Sequence, residues 1–226
     1  IIGNLKFAEN EQDKLKTFDD AFKNQLKKKK IWCASSTHKN EEIVCARIHQ
    51  NLKKKYQNLL TIIIPRHIHR TEEIKKELEE MKLNVVCRSE KKKITKNTDI
   101  YIVNTYGETR KFYQITNTVF LGGSLVKHGG QNPIEAARLG AQIIYGPNVD
   151  NFKDVYKLFD KKKISKKIKN VKDFTSVVDK SILNSKNSIN KFKEIKKIGD
   201  MILNKTTVEI NNLIKNEIKK TKFLGF

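Results

Sequence analysis

"TVFLGGSLVKHGGQNPIEAARLGAQIIYGP", residues 118–147, decides how the chain is to be read. Two short apolar runs, "TVFLGG" and "AQIIYGP", flank a helical stretch, and neither alternates polar with apolar as a strand with one wet face does. Runs of the same kind occur at "IWCASS" 31–36, "LLTIIIP" 59–65, "NVVCRS" 84–89 and "DIYIVN" 99–104. Most of the intervals between them have helical spacing: Ile43, Ala46 and Leu52 lie in one, and Ile74, Leu78 and Met81 step by four and three in another. Strands that are apolar on both faces and separated by helices imply a parallel sheet covered on two sides, a doubly wound α/β fold. From about Asp150 the pattern turns helical and lysine-rich, with "FTSVVDKSILN" and "FKEIKKIGDMILNKTTVEINNLIKNEIKK" the clearest stretches. We expect a ligand-binding domain over 1–183 and a helical tail over 184–226, packed on that domain or on a further amino-terminal one.

A formal charge of +22 over 226 residues first suggests nucleic acid. The detail argues otherwise. The chain has 41 lysines and 6 arginines, and its lysine runs (27–30, 53–55, 91–93, 161–163) carry no interleaved aromatics. Base readers use the planar arginine fork and aromatic stacking. We therefore expect a solvated lysine surface that is open to an anionic membrane, and no nucleic-acid partner. Cys33, Cys45 and Cys87 lack metal or redox spacing and read as reduced core thiols. No apolar run nears the ~18 residues of a membrane helix. The start, "IIGNLKFAENEQDKLK", has neither Met nor the pattern of a signal peptide, as if continuing something longer.

Parallel sheets bind ligands beyond the carboxyl ends of their strands, so the strand exits are the places to search. Four exits are polar or glycine-rich: "SSTHKNEE" 35–42, "PRHIHR" 65–70, "NTYGET" 104–109 and the loop that opens at Gly122. Pro65 stops a strand, and Arg66 offers a fork for phosphate or carboxylate. His67 and His69 share a face on extended backbone, but no nearby Cys or Asp completes a metal site. Ser35, Ser36, Thr37 and His38 lack the elbow and acid of a nucleophile system, and Glu41 and Glu42 suit a helix's first turn. Gly107 marks a strand-to-helix turn, with Thr105 and Glu108 left to cap the helix. Gly122 to Gly140 holds five of the ten glycines. Asn132, Pro133 and Glu135 fit the N-cap, N1 and N3 of a helix. The pairs Gly122, Gly123 and Gly129, Gly130 offer a backbone that a phosphate could approach, and Glu135 could accept both hydroxyls of a ribose.

Taken in order, "GNLKF", "SSTHKNEE", "PRHIHR", "NTYGET", "FLGGSLVKHGGQNPIEAA" and "GPNVDNF" resemble the carboxyl-terminal half of 3-deoxy-D-manno-octulosonic acid (Kdo) transferases over roughly residues 1–160. The resemblance implies the Rossmann-like carboxyl-terminal domain of a GT-B glycosyltransferase. It implies transfer of Kdo from CMP-Kdo to a lipid A precursor at the cytoplasmic face of a bacterial inner membrane. It also implies a site in which Pro65, Arg66, Tyr106, Gly107, Glu108, Gly123, Ser124, Asn132, Pro133, Ile134 and Glu135 hold CMP, with Glu135 on the ribose, while Lys6 steadies charge in the transition state. The family's general base and its acceptor-facing surface belong to an amino-terminal half, so residues 1–226 alone are expected to bind CMP without transfer. No metal is required by anything in the sequence. Departures from the pattern are Lys39 and Asn40 after "STH", Ile68 and His69 after "PRH", Tyr106 where Met is usual, and "GGQN" for "GGHN". Two other functions fit the residues: a UDP-sugar transferase or epimerase of the same fold, and a basic nucleic-acid module.

Overall fold

The computed structural model describes residues 17–183 and 188–223. Seven strands form one parallel sheet: β1 (Lys30–Thr37), β2 (Leu59–Pro65), β3 (Val85–Cys87), β4 (Ile100–Ile102), β5 (Thr118–Leu121), β6 (Gln142–Tyr145) and β7 (Ser165–Lys167). Their order across the sheet is β3-β4-β2-β1-β5-β6-β7, with each neighbouring pair parallel. The helices are α1 (Asp20–Leu26), α2 (Glu41–Lys53), α3 (Thr71–Glu80), α4 (Thr109–Gln114), α5 (Ile134–Arg138), α6 (Lys153–Lys161), α7 (Val171–Leu183) and α8 (Ser188–Phe223).

The strand "LLTIIIP" is buried at every position because helices cover both faces of the sheet. Its side chains divide by the two-residue period of a strand. Leu60, Ile62 and Ile64 join Phe22 of α1, Phe112 of α4 and Phe159 of α6. Leu59 and Ile63 join Ile48 of α2, Leu78 of α3 and Phe174 of α7. Each face is keyed by aromatic contacts, with Phe18 4.8 Å from Phe112 on one and Phe120 4.9 Å from Phe174 on the other. All three cysteines are free and buried, as expected of core thiols.

Two elements differ from the sequence reading. β7 lies inside a segment read as helical: "SKK" is too short and too polar to look like a strand, and it is held by pairing with β6. α1 was not anticipated; Asp19 caps it through Phe22 N–H at 2.7 Å, and Phe22 and Leu26 bury its inner face. The tail begins as expected with a long helix. α8 lies against α5 and exposes Met201, Leu203, Val208, Ile210, Leu213 and Ile214.

Candidate functional site

β4, β2, β1 and β5 are consecutive across the sheet. Parallel strands put all their carboxyl ends on one edge, so the four polar exits stand side by side. The chain lays β2 beside β1, goes out to the edge strand β3, inserts β4 between β3 and β2, and then returns to lay β5 on the other side of β1. Such a reversal of strand order leaves a crevice at the carboxyl edge, here between the exits "SSTHK" and "GGSLV".

The glycine loop across that crevice is held by one carboxylate. Glu41, buried at the start of α2, accepts hydrogen bonds from the backbone N–H groups of Gly123 (2.7 Å), Ser124 (3.1 Å) and Leu125 (2.9 Å), and from His38 N–H at 2.9 Å. Glu41 thus crosslinks the β1 and β5 exits. Three of the glycine amides that the sequence offered to a phosphate have partners within the protein: Gly122 N–H donates to Ser35 O, Gly123 N–H to Glu41 and Gly130 N–H to Gly123 O. The glycines serve close packing instead: a Cβ on Gly122 would lie 2.3 Å from Ser36 O, one on Gly129 2.5 Å from Asn151 Nδ2, and one on Gly146 2.4 Å from Ser124 O. Ser124 is fully buried, its Oγ donating to Leu121 O and accepting from Gly146 N–H, so it shapes the loop from inside.

Pro65 pairs with Thr37 and ends β2 as expected, and Arg66 follows it on the surface, its N–H donating to Thr37 O at 3.0 Å. Tyr106 is 84% exposed beside Gly107, whose φ of +76° suits glycine. Glu108 does not cap α4. Arg88 grips it with two bonds of 3.0 Å, and Thr105 adds one of 2.6 Å. The Arg88 bonds pull its carboxyl down to about 2, so it is ionised at neutral pH. Asn132 accepts from Ile134 N–H at 3.1 Å, but the helix begins one residue later than the sequence suggested, with Pro133 rather than Asn132 at the cap position; Pro133 and Ile134 are buried. Glu135 lies at the surface, 3.6 Å from Arg110 Nε. Lys6 lies outside the described residues.

Sequence reasoning missed Arg88 and Arg110, although their rarity was a signal. Arg66, Arg70, Arg88 and Arg110, four of six arginines among 41 lysines, stand at or beside these strand exits. It also read Glu41 as a helix-dipole carboxylate when its partners are on another strand. Among the described residues, no cluster of His, Cys, Asp and Glu is arranged to hold a metal, and no helix is long and apolar enough to cross a membrane. A guanidinium, an exposed ring and a carboxylate along one edge suit a ligand that combines an acid, an aromatic base and a diol.

No family model matches the chain. A 3-deoxy-D-manno-octulosonic acid transferase of Haemophilus influenzae is 32% identical over 189 residues, which make up 83% of this chain and 44% of that protein. A bifunctional glycosyltransferase/methyltransferase of Fusobacterium nucleatum is 32% identical over 97% of this chain and 34% of that protein. The chain thus spans less than half the length of these relatives. Among solved structures, the C-terminal CMP-Kdo binding domain of WaaA from Acinetobacter baumannii matches with a TM-score of 0.72 at 22% identity, covering 79% of this chain and 94% of that one. A trehalose-6-phosphate synthase, OtsA, matches at 0.54 and 11% identity over 95% of this chain and 48% of that one. The fold is accordingly the Rossmann-like carboxyl-terminal domain of the GT-B architecture.

Proposed function

Because the chain is 32% identical to Kdo transferases over 83% of its length, we propose that it is the donor-binding half of such an enzyme, holding CMP-Kdo for transfer to a lipid A precursor. The observation that carries this reading is the row of four exits at the point where strand order reverses, with Arg66, Tyr106 and Glu135 on the surface along it. In this reading Arg66 meets the phosphate, Tyr106 and Gly107 the base, and Glu135 the ribose hydroxyls, with Arg110 orienting its carboxylate. Asn132, Pro133 and Ile134 set the height of that carboxylate. Glu108 acts through Arg88 by fixing the Tyr106–Gly107 turn, and Gly123 and Ser124 act through the loop that Glu41 holds. Lys6 stabilises the charge that develops as CMP departs.

The transfer is an inverting displacement at the anomeric carbon. A base from an amino-terminal half activates the acceptor hydroxyl, and this half holds the leaving group. The exposed apolar side chains of α8 pack on that other half, and the lysine surface meets anionic lipid at the inner face of the membrane.

Calorimetric titration tests the reading. CMP is expected to bind the chain, with UMP at least about tenfold weaker, a difference of about 1.4 kcal/mol. Glu135→Ala should cost about 2 kcal/mol of CMP affinity, as loss of charge-assisted hydrogen bonds does. A UMP preference would replace the reading with a UDP-sugar enzyme. Steeply salt-dependent DNA or RNA binding without mononucleotide binding would replace it with a basic nucleic-acid module.

A further inference from the structure

Four of the chain's five histidines come together at the crevice from three separate segments. His38 follows β1, His67 and His69 follow β2, and His128 sits in the glycine loop. The rings of His38 and His128 are 4.1 Å apart between centroids at an interplanar angle of 38°; His67 stands 5.9 Å from His38 and 5.6 Å from His69. Gln131 Nε2 is 3.4 Å from His38 Nε2. Gly123 lies beneath the closest pair, where a Cβ would be 3.0 Å from His128 Cδ2 and 3.2 Å from His38 Nε2.

The charges around the cluster are unbalanced. Arg66 and Arg70 act on it from the β2 exit. The nearby carboxylates are engaged elsewhere. Glu41 holds four backbone amides, Glu42 meets Arg70 Nη1 at 3.0 Å, Glu73 meets Lys39 at 2.9 Å and Arg70 Nε at 3.3 Å, and Glu135 meets Arg110. Among the described residues, none of the four rings has a carboxylate at ion-pair distance, whereas His49, the fifth histidine, has Asp99. Burial first, then His128, His67, Arg66 and Arg70, hold His38 down to about 4.

We propose that the His38–His128 pair, rimmed by His67 and Arg66, is a subsite for an oxyanion of the donor, either its phosphate or its sugar carboxylate, and that it takes up a proton as that oxyanion binds. The inference rests on the nucleotide-sugar reading of the crevice. An anion beside the rings supplies the negative charge the cluster lacks, so the bound state favours imidazolium where the free state forbids it. The sign follows: His38 is neutral above about 4 in the free chain, its affinity for protons rises when the anion is bound, and anion affinity therefore increases as pH falls toward the bound-state value.

The test is to follow the five imidazole C–H resonances of the 226-residue chain by NMR from about pH 8 to pH 5. The chain is studied free, with cytidine, with CMP, and with free Kdo acid. In the free chain and with cytidine, His38 should stay neutral throughout. With CMP, or with the sugar acid, its midpoint should rise by about one to three pH units, as for a group gaining an opposite charge within ~6 Å. A rise with CMP assigns the phosphate, and a rise with the sugar acid assigns the carboxylate. His128→Gln should weaken binding of that same ligand at low pH and flatten its pH dependence relative to wild type, which also cancels the titration of CMP's own phosphate. His38→Gln should do the same, and His128, being exposed, carries the test if His38→Gln disturbs the loop. CMP and sugar acid binding with an unmoved His38 midpoint overturns the subsite and leaves the nucleotide reading intact. No binding of cytidine, CMP or the sugar acid overturns the nucleotide reading itself.

Discussion

At the carboxyl edge of the sheet His38 stands among other imidazoles and arginines; at the amino edge His49 lies fully buried between Thr61 Oγ1 at 2.9 Å and Asp99 Oδ1 at 3.4 Å. Both rings are harder to protonate than an ordinary histidine, and burial is the leading cause for each. Their partners differ. Asp99 also takes Lys53 at 3.0 Å and the backbone and side-chain amides of Asn84, while neighbouring Lys29 donates to Lys96 O and Thr98 O, so the ring has a carboxylate of the chain beside it. At the carboxyl edge Arg70 is answered by Glu42 and Glu73, but among the described residues no carboxylate stands at ion-pair distance from His38, His67, His69 or His128. The same residue type therefore stands in two settings, and what separates them is whether the ring meets a carboxylate of its own chain, as His49 does and His38 does not.

The comparison breaks most visibly if the carboxylate that organises each end is removed. Glu41→Gln leaves an amide N–H facing donors where four N–H groups now converge on oxygen. We expect a loss of about 4 kcal/mol in urea-unfolding stability, and CMP binding lost with the loop. Asp99→Asn should cost less, about 3 kcal/mol, because Lys53 keeps some water. The folded fraction should bind CMP as wild type does, since the amino edge is not the site. Burial alone would raise the Asp99 carboxyl, but bonds from His49, Asn84 N–H and Lys53 outweigh it and hold the group well below the carboxylate range. A depressed carboxyl stabilises the fold above its unfolded value and loses that contribution as pH falls below about 4. Urea melts between about pH 3 and pH 6 should show a shallower acid limb in Asp99→Asn. Equal losses of CMP binding in the two variants would erase the distinction between the two ends.

Much of this was legible in the sequence where the signal is local. "LLTIIIP" and "TVFLGG" announce buried parallel strands because a short run that is apolar on both faces must be covered from both sides. Asn132 announced a helix start to within one residue because its bond to Ile134 N–H spans two residues. What stayed hidden was long-range. Glu41 reaches Gly123 across 82 positions, and Glu108 meets Arg88 across 20, so each looked like a helix-start acid until the strands were set side by side. The paired glycines were seen, but not what they pack against, since only the folded chain brings Ser36 O and Asn151 against them. The histidine cluster was invisible for the same reason: His38 and His128 are far apart in the chain and adjacent only because β1 pairs β5.

The smallest expected effect falls on Tyr106, an exposed aromatic at the rim of the crevice. Tyr56, near the amino edge, donates to Asp179 at 2.5 Å and lies under Lys30 and Lys55, so its ring is used by the fold. Tyr106 is 84% exposed at the β4 exit, on a turn whose shape comes from Gly107 and the Glu108–Arg88 pair and not from its own side chain. Removing it should therefore leave stability within about 0.5 kcal/mol of wild type, as for a surface residue. If its ring stacks on the base, Tyr106→Ala should lower CMP affinity about fivefold, near 1 kcal/mol, at the lower end of base–aromatic stacking because one face stays in water. Tyr106→Phe should retain the affinity, since the face and not the hydroxyl does the stacking. Calorimetry on the three proteins with CMP decides it: an unchanged Kd in Tyr106→Ala would take the base away from this exit, leaving the acid-binding half of the crevice to be tested separately through the histidines.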